Sequence, residues 1–367
     1  MKKRNGRLTL ILTNQCNLNC VYCYEKCKGK EIMTFDIAQK AILEEMNSNK
    51  YTMLEIYLFG GEPFLEFELI KEIVEWMENF RWKIPYRIMI STNGVGWSKE
   101  IKLWLKEHRN NICIVLSLDG DRISHNLNRN NSYDKIDINF IRKNWPNDGV
   151  KMTISEISLP RLAQNVIHIH ELGMKFSECN FAMGMIWNKS SINILNDQMS
   201  KLLEFYMNNP QYECANIINM PIEICEKKKE ITKVCGAGEN RTIYTDGTEY
   251  PCNYITPMGF NEKEIEELKS FDLLDSARNE DMKCFNECYL YPICPNCYAA
   301  NYSVNHCINK RNKSVCGLIQ SQAYYTALLQ AEKIKLLPYH NLSDEERTLY
   351  HKKIGAIKKI IELYDEN

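Results

Sequence analysis

Cysteine is the residue type of this chain best suited to chemistry. The 367-residue sequence contains 16 cysteines, and eight of them lie between Cys235 and Cys316. The apolar stretch near the N-terminus is short and no small-residue cleavage site follows it, which predicts a cytoplasmic protein rather than a secreted one. Thiols stay reduced in the cytoplasm, so the cysteine groups predict metal ligands rather than disulfides.

The first cysteine group directly follows the first predicted strand. Its members Cys16, Cys20 and Cys23 have the spacing CxxxCxxC. Three thiolates on one short loop can bind three irons of a four-iron cluster and leave the fourth iron open for a substrate or cofactor. A structural zinc site would need a fourth ligand, and Cys27 could provide it.

This loop, with the aromatic Tyr22 just before its third cysteine, resembles the signature of the radical S-adenosylmethionine (SAM) enzymes. In that family the open iron binds the amino and carboxylate groups of SAM. One-electron reduction then cleaves SAM to a 5′-deoxyadenosyl radical, so the cofactor carries the difficult chemistry. The resemblance implies SAM and a SAM-binding [4Fe-4S] cluster as cofactors, with Tyr22 in the cofactor site.

A glycine-rich segment, Gly60-Gly61-Glu62-Pro63, follows the second predicted strand. The two glycines let the backbone approach a ligand closely, and the glutamate can accept hydrogen bonds from an ammonium group. The segment resembles the family's GGEP motif, which binds the SAM amino group. Taken alone, the segment favours a tight turn that leads into a helix, and its position after the second strand favours the cofactor site instead.

The third and fourth predicted strands also end in polar segments. Both resemble family segments that bind the SAM ribose and carboxylate; the residues concerned are Ser91, Asn93, Ser117 and Asp119. Arg129 follows at a spacing seen in the peptide-modifying branch, where it would pair with the SAM carboxylate, and a solvated helical arginine is the alternative. Since the ends of parallel strands meet at one rim, we expect these polar groups to lie together.

The second cysteine group resembles the SPASM extension of radical SAM enzymes, which holds two auxiliary [4Fe-4S] clusters. The resemblance assigns three cysteines to the first auxiliary cluster: Cys235, Cys252 and Cys297. It assigns four, here called the second cysteine set, to the second auxiliary cluster: Cys284, Cys288, Cys294 and Cys316. A zinc ribbon over residues 284–297 is the alternative.

Two features depart from the SPASM pattern. The block from Cys284 to Cys297 has three, five and two intervening residues where the pattern has two, five and three, so the ligand set of each cluster stays open. Arg241 stands where some family members place a fourth ligand of the first auxiliary cluster. That cluster is therefore expected either to have an open iron or to use Cys225 or Cys307.

The elements that must position these groups can be predicted from periodicity. Apolar runs of strand length occur at residues 7–13, 54–59, 86–91, 112–118, 150–157 and 176–185. Helical patterns occur at residues 35–47, 67–80, 99–107, 138–144, 162–172 and 197–207. Six strand–helix units in a row predict an α/β fold with a parallel sheet, a partial (β/α)6 TIM barrel.

The pattern changes after residue 210. Residues 242–250 predict a hairpin around Asp246-Gly247, and two helical stretches rich in Lys and Glu end the chain. We expect a radical SAM partial barrel at residues 1–210, a small cysteine-rich SPASM domain at 211–320 and a solvated helical tail at 321–367.

Charge and hydropathy exclude some partners. Lys and Arg number 46 and Asp and Glu 47, which gives a net charge of -1 and no field that would attract nucleic acid or anionic lipid. No apolar run approaches the length of a membrane span. We therefore expect neither a nucleic-acid partner nor a membrane partner.

The resemblance implies a radical SAM oxidoreductase that takes an electron from a flavodoxin or ferredoxin type donor. Its expected substrate is a ribosomally made peptide, in which it forms a thioether or carbon–carbon crosslink or another modification. A leader peptide would be recognised by a separate leader-binding protein or by the SPASM surface, unless the substrate has no leader.

A second branch, the anaerobic sulfatase maturases, forms formylglycine. These enzymes use as base an aspartate directly after the cysteine of a GxxxxC motif, which in this chain runs from Gly247 to Cys252. Here that residue is Asn253, whose amide cannot accept the proton. This branch stays an alternative, as does a non-catalytic iron–sulfur or zinc binding protein.

Overall fold

The computed structural model describes residues 4–227, 230–231, 235–336 and 339–365. Within them the strands are β1 Arg4–Thr13, β2 Tyr51–Gly60, β3 Tyr86–Thr92, β4 Ile112–Ser117, β5 Gly149–Ile154, β6 Lys175–Phe181, β7 Arg241–Ile243 and β8 Glu249–Tyr250. The helices are α1 Phe35–Met46, α2 Phe67–Asn79, α3 Lys99–Glu107, α4 Arg122–Asn128, α5 Ile138–Asn144, α6 Leu162–Glu171, α7 Ser190–Asn208, α8 Glu262–Lys269, α9 Met282–Glu287, α10 Tyr298–Asn305, α11 Cys316–Lys335 and α12 Asp344–Tyr364.

The strands form one sheet in the order β6-β5-β4-β3-β2-β1-β7-β8. Strands β1 to β5 pair in parallel with their neighbours, and helices separate them along the chain. This confirms the predicted α/β fold with its parallel sheet. All six predicted strands are present, and β4 shows the nearly continuous apolar run that is typical of a buried parallel strand.

Two of these strands end three or four residues earlier than predicted. Strand β5 ends at Ile154 because Ser155 and Ser158 exchange hydrogen bonds between backbone N–H and side-chain oxygen, at 3.0 and 3.3 Å, and so close a turn. Strand β6 ends at Phe181, and Gly184 then turns the chain with a φ of 71°. Turns formed by serine side chains and by glycine thus end these two strands within the segments predicted to be strands.

The predicted hairpin is confirmed, since β7 and β8 pair in an antiparallel arrangement. Strand β7 also pairs in parallel with β1, where Leu8 stands opposite Arg241 and Leu10 opposite Ile243. The hairpin therefore extends the barrel sheet.

The chain forms two compact units that are not consecutive in sequence. The first comprises Met1–Leu118, His125–Lys151 and Gly236–Leu274; the second comprises Asp119–Ser124, Met152–Cys235 and Asp275–Asn367. The domain boundaries expected from the family resemblance, at 210 and 320, stay a prediction.

The C-terminal helices are not the solvated tail that their Lys and Glu content predicts. Helix α11 packs on α7 and α12 and buries Leu318, Ala323 and Ala327 completely. Helix α12 buries Ala356 and Ile360. The prediction was wrong because the buried stripe consists largely of small and uncharged polar residues, which charged neighbours obscure in the sequence. None of the helices in the described ranges has the length and hydropathy to cross a membrane.

Candidate iron–sulfur and SAM site

The CxxxCxxC loop begins directly after β1, in the first unit. Its three thiols are half-buried, and Cys20 interacts electrostatically with both Cys16 and Cys23. Burial raises the pKa of Cys16, and it raises that of Cys23 to about 11. Bound iron would remove these protons and offset the cost of burying thiolates, so the donor set fits a cluster that binds three thiolates.

Gly60 and Gly61 hold this loop against the end of β2. Gly61 N–H donates to the Thr13 carbonyl at 2.9 Å, and Glu62 N–H donates to the Gln15 carbonyl at 2.7 Å. A Cβ at Gly60 would lie 2.4 Å from the Thr13 oxygen, and one at Gly61 would lie 2.0 Å from the Gln15 oxygen. We expected the glycines to let the backbone approach a ligand; the structure shows that they let it approach the cysteine loop itself.

Glu62 places a carboxylate beside the cysteine loop. Its side chain is buried and accepts hydrogen bonds from the Thr92 hydroxyl at 2.7 Å, the Asn93 N–H at 2.7 Å and the Phe64 N–H at 3.2 Å. Burial raises the pKa of Glu62 to about 7, although these hydrogen bonds oppose the rise. A ligand N–H donor would stabilise the ionised form, so the site fits an iron-bound amino group of SAM. Pro63 follows as the first residue of a short 3-10 turn, Pro63–Glu66.

The end of β3 is fastened to the same loop. The Asn93 amide donates to the Asn17 side chain at 2.7 Å and accepts from the Val95 N–H at 2.9 Å. Ser91 is buried at the end of the same strand. The structure therefore brings together the segments after β1, β2 and β3, as predicted from the parallel sheet.

Arg129 also faces the cysteine loop. It is buried, its guanidinium lies 5.3 Å from the centre of the Tyr22 ring, and its Nη1 lies 3.9 Å from Cys20 Sγ. Arg129 is close enough to favour the ionised form of Glu62. The alternative of a solvated helical arginine is therefore wrong.

The segment after β4 divides between the two units. Ser117 is half-buried in the first unit. Asp119 belongs to the second unit, is completely buried, and accepts a hydrogen bond from the Thr153 N–H at 3.0 Å. The cofactor roles of Ser117 and Asp119 stay predictions.

The segment after the hairpin lies against the cysteine loop within the first unit. The Asn253 amide donates to the Tyr24 hydroxyl at 2.6 Å, and the Tyr24 ring stacks on Tyr254 with centroids 4.2 Å apart. Burial raises the pKa of Tyr24 well above its usual value, with contributions from Glu25 and Cys252. Sequence reasoning missed Tyr24, although an aromatic residue directly after the last cysteine of the loop was a visible signal.

The second cysteine set lines a cavity of about 960 Å³ in the second unit, together with Cys297. Cys316 interacts electrostatically with Cys284 and Cys288, and Cys294 does so with Cys316 and Cys288. The structure thus brings together the four thiols that the resemblance assigned to one cluster. In the described ranges no three His, Cys, Asp or Glu side chains surround a single ion; the thiolates of a four-iron cluster each bind a different iron.

The three cysteines assigned to the first auxiliary cluster belong to different units. Cys252 lies in the first unit, and Cys235 and Cys297 lie in the second, so this ligand set stays a prediction. Cys225 is buried in an apolar core against which Cys288 and Cys294 pack, and Cys307 donates to the Asn309 side chain at 2.7 Å.

Arg241 has a structural explanation. Its guanidinium forms ion pairs with Glu249 at 2.7 Å, Glu44 at 2.9 Å and Glu45 at 3.2 Å. Three carboxylates therefore fix the side chain that occupies the place of a family cysteine.

Cys27, the fourth ligand of the zinc alternative, is exposed, and its N–H donates to the Met258 carbonyl at 3.0 Å.

Two relatives are similar in sequence to this chain. The chain is 25% identical over 241 residues to the radical SAM cyclopropyl synthase TigE of Paramaledivibacter caminithermalis, covering 60% of this chain and 46% of that protein. It is 24% identical over 283 residues to the sporulation killing factor maturation protein SkfB of Bacillus subtilis, covering 75% and 66%. The chain thus spans about half to two thirds of these relatives' lengths.

A solved structure shares the fold. Native anSMEcpe with bound AdoMet and Cp18Cys peptide superposes with a TM-score of 0.70 at 16% identity, covering 91% of this chain and 100% of that one. Residues 10–185 match the family model of the radical SAM superfamily. This range, just under half of the chain, includes the cysteine loop, Glu62, Asn93 and Arg129, so this part of the chain is similar to the radical SAM superfamily.

Proposed function

We propose that the protein is a radical SAM oxidoreductase that modifies a ribosomally made peptide, forming a thioether or carbon–carbon crosslink or a comparable change. The observation that carries the proposal is the three-cysteine loop fixed beside the buried carboxylate of Glu62. The relatives TigE and SkfB, whose names describe a cyclopropyl synthase and a maturation protein, support a peptide substrate.

When bound, SAM and its cluster supply a 5′-deoxyadenosyl radical that abstracts hydrogen from the substrate. Cys16, Cys20 and Cys23 would hold that cluster. Glu62 would accept a hydrogen bond from the amino group of SAM, and Arg129 would face its carboxylate. Ser91, Asn93, Ser117 and Asp119 would contact the rest of the cofactor, with Tyr22 packed beside it.

The second cysteine set would hold one auxiliary cluster, and Cys235, Cys252 and Cys297 the other. These clusters would accept the electron that a substrate radical loses when a new bond forms. A cytoplasmic flavodoxin or ferredoxin type protein would supply the electron for SAM cleavage.

Formylglycine formation is the second candidate, because the chain shares the fold of anSMEcpe. The contacts of Asn253 weigh against it. Its amide donates to Tyr24, and the raised pKa of Tyr24 keeps that phenol protonated, so neither group can accept a proton.

The test is to co-express the protein anaerobically with short peptides encoded beside its gene. We expect one peptide to lose two hydrogen atoms, as in crosslink formation, and to remain unmodified with a Cys16→Ala, Cys20→Ala, Cys23→Ala variant. A Cys27→Ala variant serves as control and should retain activity, because Cys27 is exposed. SAM cleavage with a sulfatase peptide as the only modified substrate would contradict the proposal.

A further inference from the structure

Two cationic side chains, for which no role was predicted from the sequence, lie at the second cysteine set. Lys313 Nζ donates to Cys284 Sγ at 2.6 Å. Arg311 Nη1 donates to the Cys294 carbonyl at 3.3 Å. Both cations and both cysteines belong to the second unit and line the same cavity. Two of the four thiol-bearing residues therefore have a positive group in direct contact.

Carboxylates fix the position of both cations. Lys313 forms an ion pair with Asp281 at 3.1 Å, and Arg311 forms one with Glu280 at 2.9 Å. The Arg311–Glu280 pair is buried, with 7% and 2% of the two side chains exposed. The guanidinium also lies 4.5 Å from the centre of the Tyr291 ring. Satisfied partners on several sides keep a buried cation ionised and in place.

Asp281 connects this arrangement to the cysteine backbone. It accepts hydrogen bonds from the Cys284 N–H and the Arg311 N–H, both at 3.1 Å. The side chain that neutralises Lys313 therefore also fixes the residue whose sulfur Lys313 contacts. The ion pair with Asp281 therefore restrains the Lys313 ammonium group at the sulfur, while 53% of the Lys313 side chain is exposed.

Building on the proposed second auxiliary cluster, we propose that Lys313, assisted by Arg311, raises the reduction potential of that cluster and so favours electron acceptance. Reduction adds one negative charge to a cluster that four thiolates already make anionic. A cation and an N–H donor at a ligand sulfur stabilise the reduced state more than the oxidised state. Loss of the Lys313 charge would also leave Asp281 unneutralised nearby, and this would lower the potential further.

Lys359 offers a matched control. It lines the same cavity, but it forms its ion pair with Glu362 on the same helix, at 3.3 Å. A Lys359→Met variant removes one positive charge from the cavity without removing a donor to a cysteine sulfur. A general effect of cavity charge would shift the midpoint potential in both Lys313→Met and Lys359→Met. An effect of the hydrogen bond to the ligand sulfur would shift it only in Lys313→Met.

The experiment uses the full chain with Cys16, Cys20 and Cys23 changed to Ala, so that only the auxiliary clusters remain. After anaerobic reconstitution, electron paramagnetic resonance during a potentiometric titration gives the midpoint of each cluster. We expect Lys313→Met to move one midpoint to a more negative potential. Lys313→Gln should move it less, because the amide retains a donor, and Lys359→Met should move neither midpoint.

The outcomes separate this inference from the proposed function. Unchanged midpoints in both Lys313 variants, at full iron content, would overturn the role of Lys313 and leave the cluster assignment intact. About four irons per chain in the background protein, instead of the roughly eight of two clusters, would show that an auxiliary cluster is missing and overturn that assignment first. If both Lys313 variants lost iron while Lys359→Met kept it, Lys313 would act in cluster assembly, and the inference about potential would be wrong.

Discussion

The two cysteine groups differ in what surrounds their thiols. In the first unit, main-chain hydrogen bonds to Gly61 and Glu62 hold a loop of three thiols, and the buried Glu62 carboxylate lies beside it. In the second unit, four thiols line a cavity in which Lys313 and Arg311 present positive groups. Three thiolates beside a carboxylate suit a cluster that binds an exchangeable cationic ligand, whereas four thiolates beside cations suit a closed cluster that stores an electron.

Removing thiols should give the largest difference between the two groups. We expect the Cys16→Ala, Cys20→Ala, Cys23→Ala variant to lose reductive SAM cleavage completely and to retain about eight of about twelve irons, at four per cluster. The Cys284→Ala, Cys288→Ala variant should lose iron but still release 5′-deoxyadenosine, because its first cluster is intact. Product chromatography and iron analysis measure both effects. Wild-type SAM cleavage by the triple variant would show that the loop is not the SAM site.

The backbone support of the first group should be the next most sensitive feature. In Gly61→Ala the new Cβ would meet the Gln15 carbonyl at 2.0 Å, so the cysteine loop must move away from β2. We expect loss of the SAM-binding cluster and destabilisation by about 1 to 3 kcal/mol, measured as iron content and thermal unfolding.

Gly6→Ala is the control for this prediction. Its Cβ would meet the Tyr51 ring at 2.4 Å, in the same unit but away from the cysteine loop. It should be less stable than wild type yet retain the first cluster. Equal iron content in Gly61→Ala and wild type would show that the loop does not depend on this close approach.

Removing the Glu62 charge should have a smaller effect, chiefly on SAM binding. The amide NH2 of a glutamine cannot accept the hydrogen bonds of Asn93 or of Thr92 and Phe64, so some stability is lost as well. Glu62→Gln keeps the shape and removes the charge, which should weaken SAM binding roughly 10- to 100-fold, the equivalent of one charge-assisted hydrogen bond of about 1.5 to 3 kcal/mol. Calorimetric titration with SAM measures the loss. Glu68→Gln, at an exposed ion pair with Lys71, should bind SAM like the wild type.

Protonation of Glu62 should make SAM binding depend on pH, with weaker binding at lower pH. Burial raises the pKa of Glu62 from 4.5 to about 7, so lowering the pH from 8 to 6 should protonate it and weaken SAM binding. Binding by Glu62→Gln should change less over this range. For folding the sign is opposite: the protonated form is favoured in the folded state, so the Glu62 contribution to stability declines as pH rises from 4.5 to about 7. A pH-independent affinity in the wild type would place the SAM amino group elsewhere.

Much of the first unit could be predicted because local patterns decide it. Helix α3, Lys99–Glu107, has the predicted bounds, since apolar residues recur on one face and Ser98 caps its start. The segments after β1, β2 and β3 meet because parallel strands end at one rim.

Long-range contacts were not predictable from the sequence. Lys313 contacts a sulfur 29 positions earlier, and Arg241 forms ion pairs with glutamates of helix α1 and strand β8. Nothing in the local sequence distinguishes these cations from solvated ones.

The residue after Cys252 gives the last prediction and the smallest expected effect on SAM cleavage. Asn253→Asp keeps the size of the side chain, and the new carboxylate could accept from the Tyr24 hydroxyl that Asn253 now contacts at 2.6 Å. We expect 5′-deoxyadenosine release close to that of the wild type, because the cysteine loop is unchanged. On a sulfatase-derived peptide the wild type should form no aldehyde, since the missing base typically contributes a factor of about 100 to 10,000. Aldehyde captured by a hydrazine reagent only with Asn253→Asp would show that one proton acceptor separates the two branches. Many turnovers of aldehyde by the wild type would instead identify it as a sulfatase maturase.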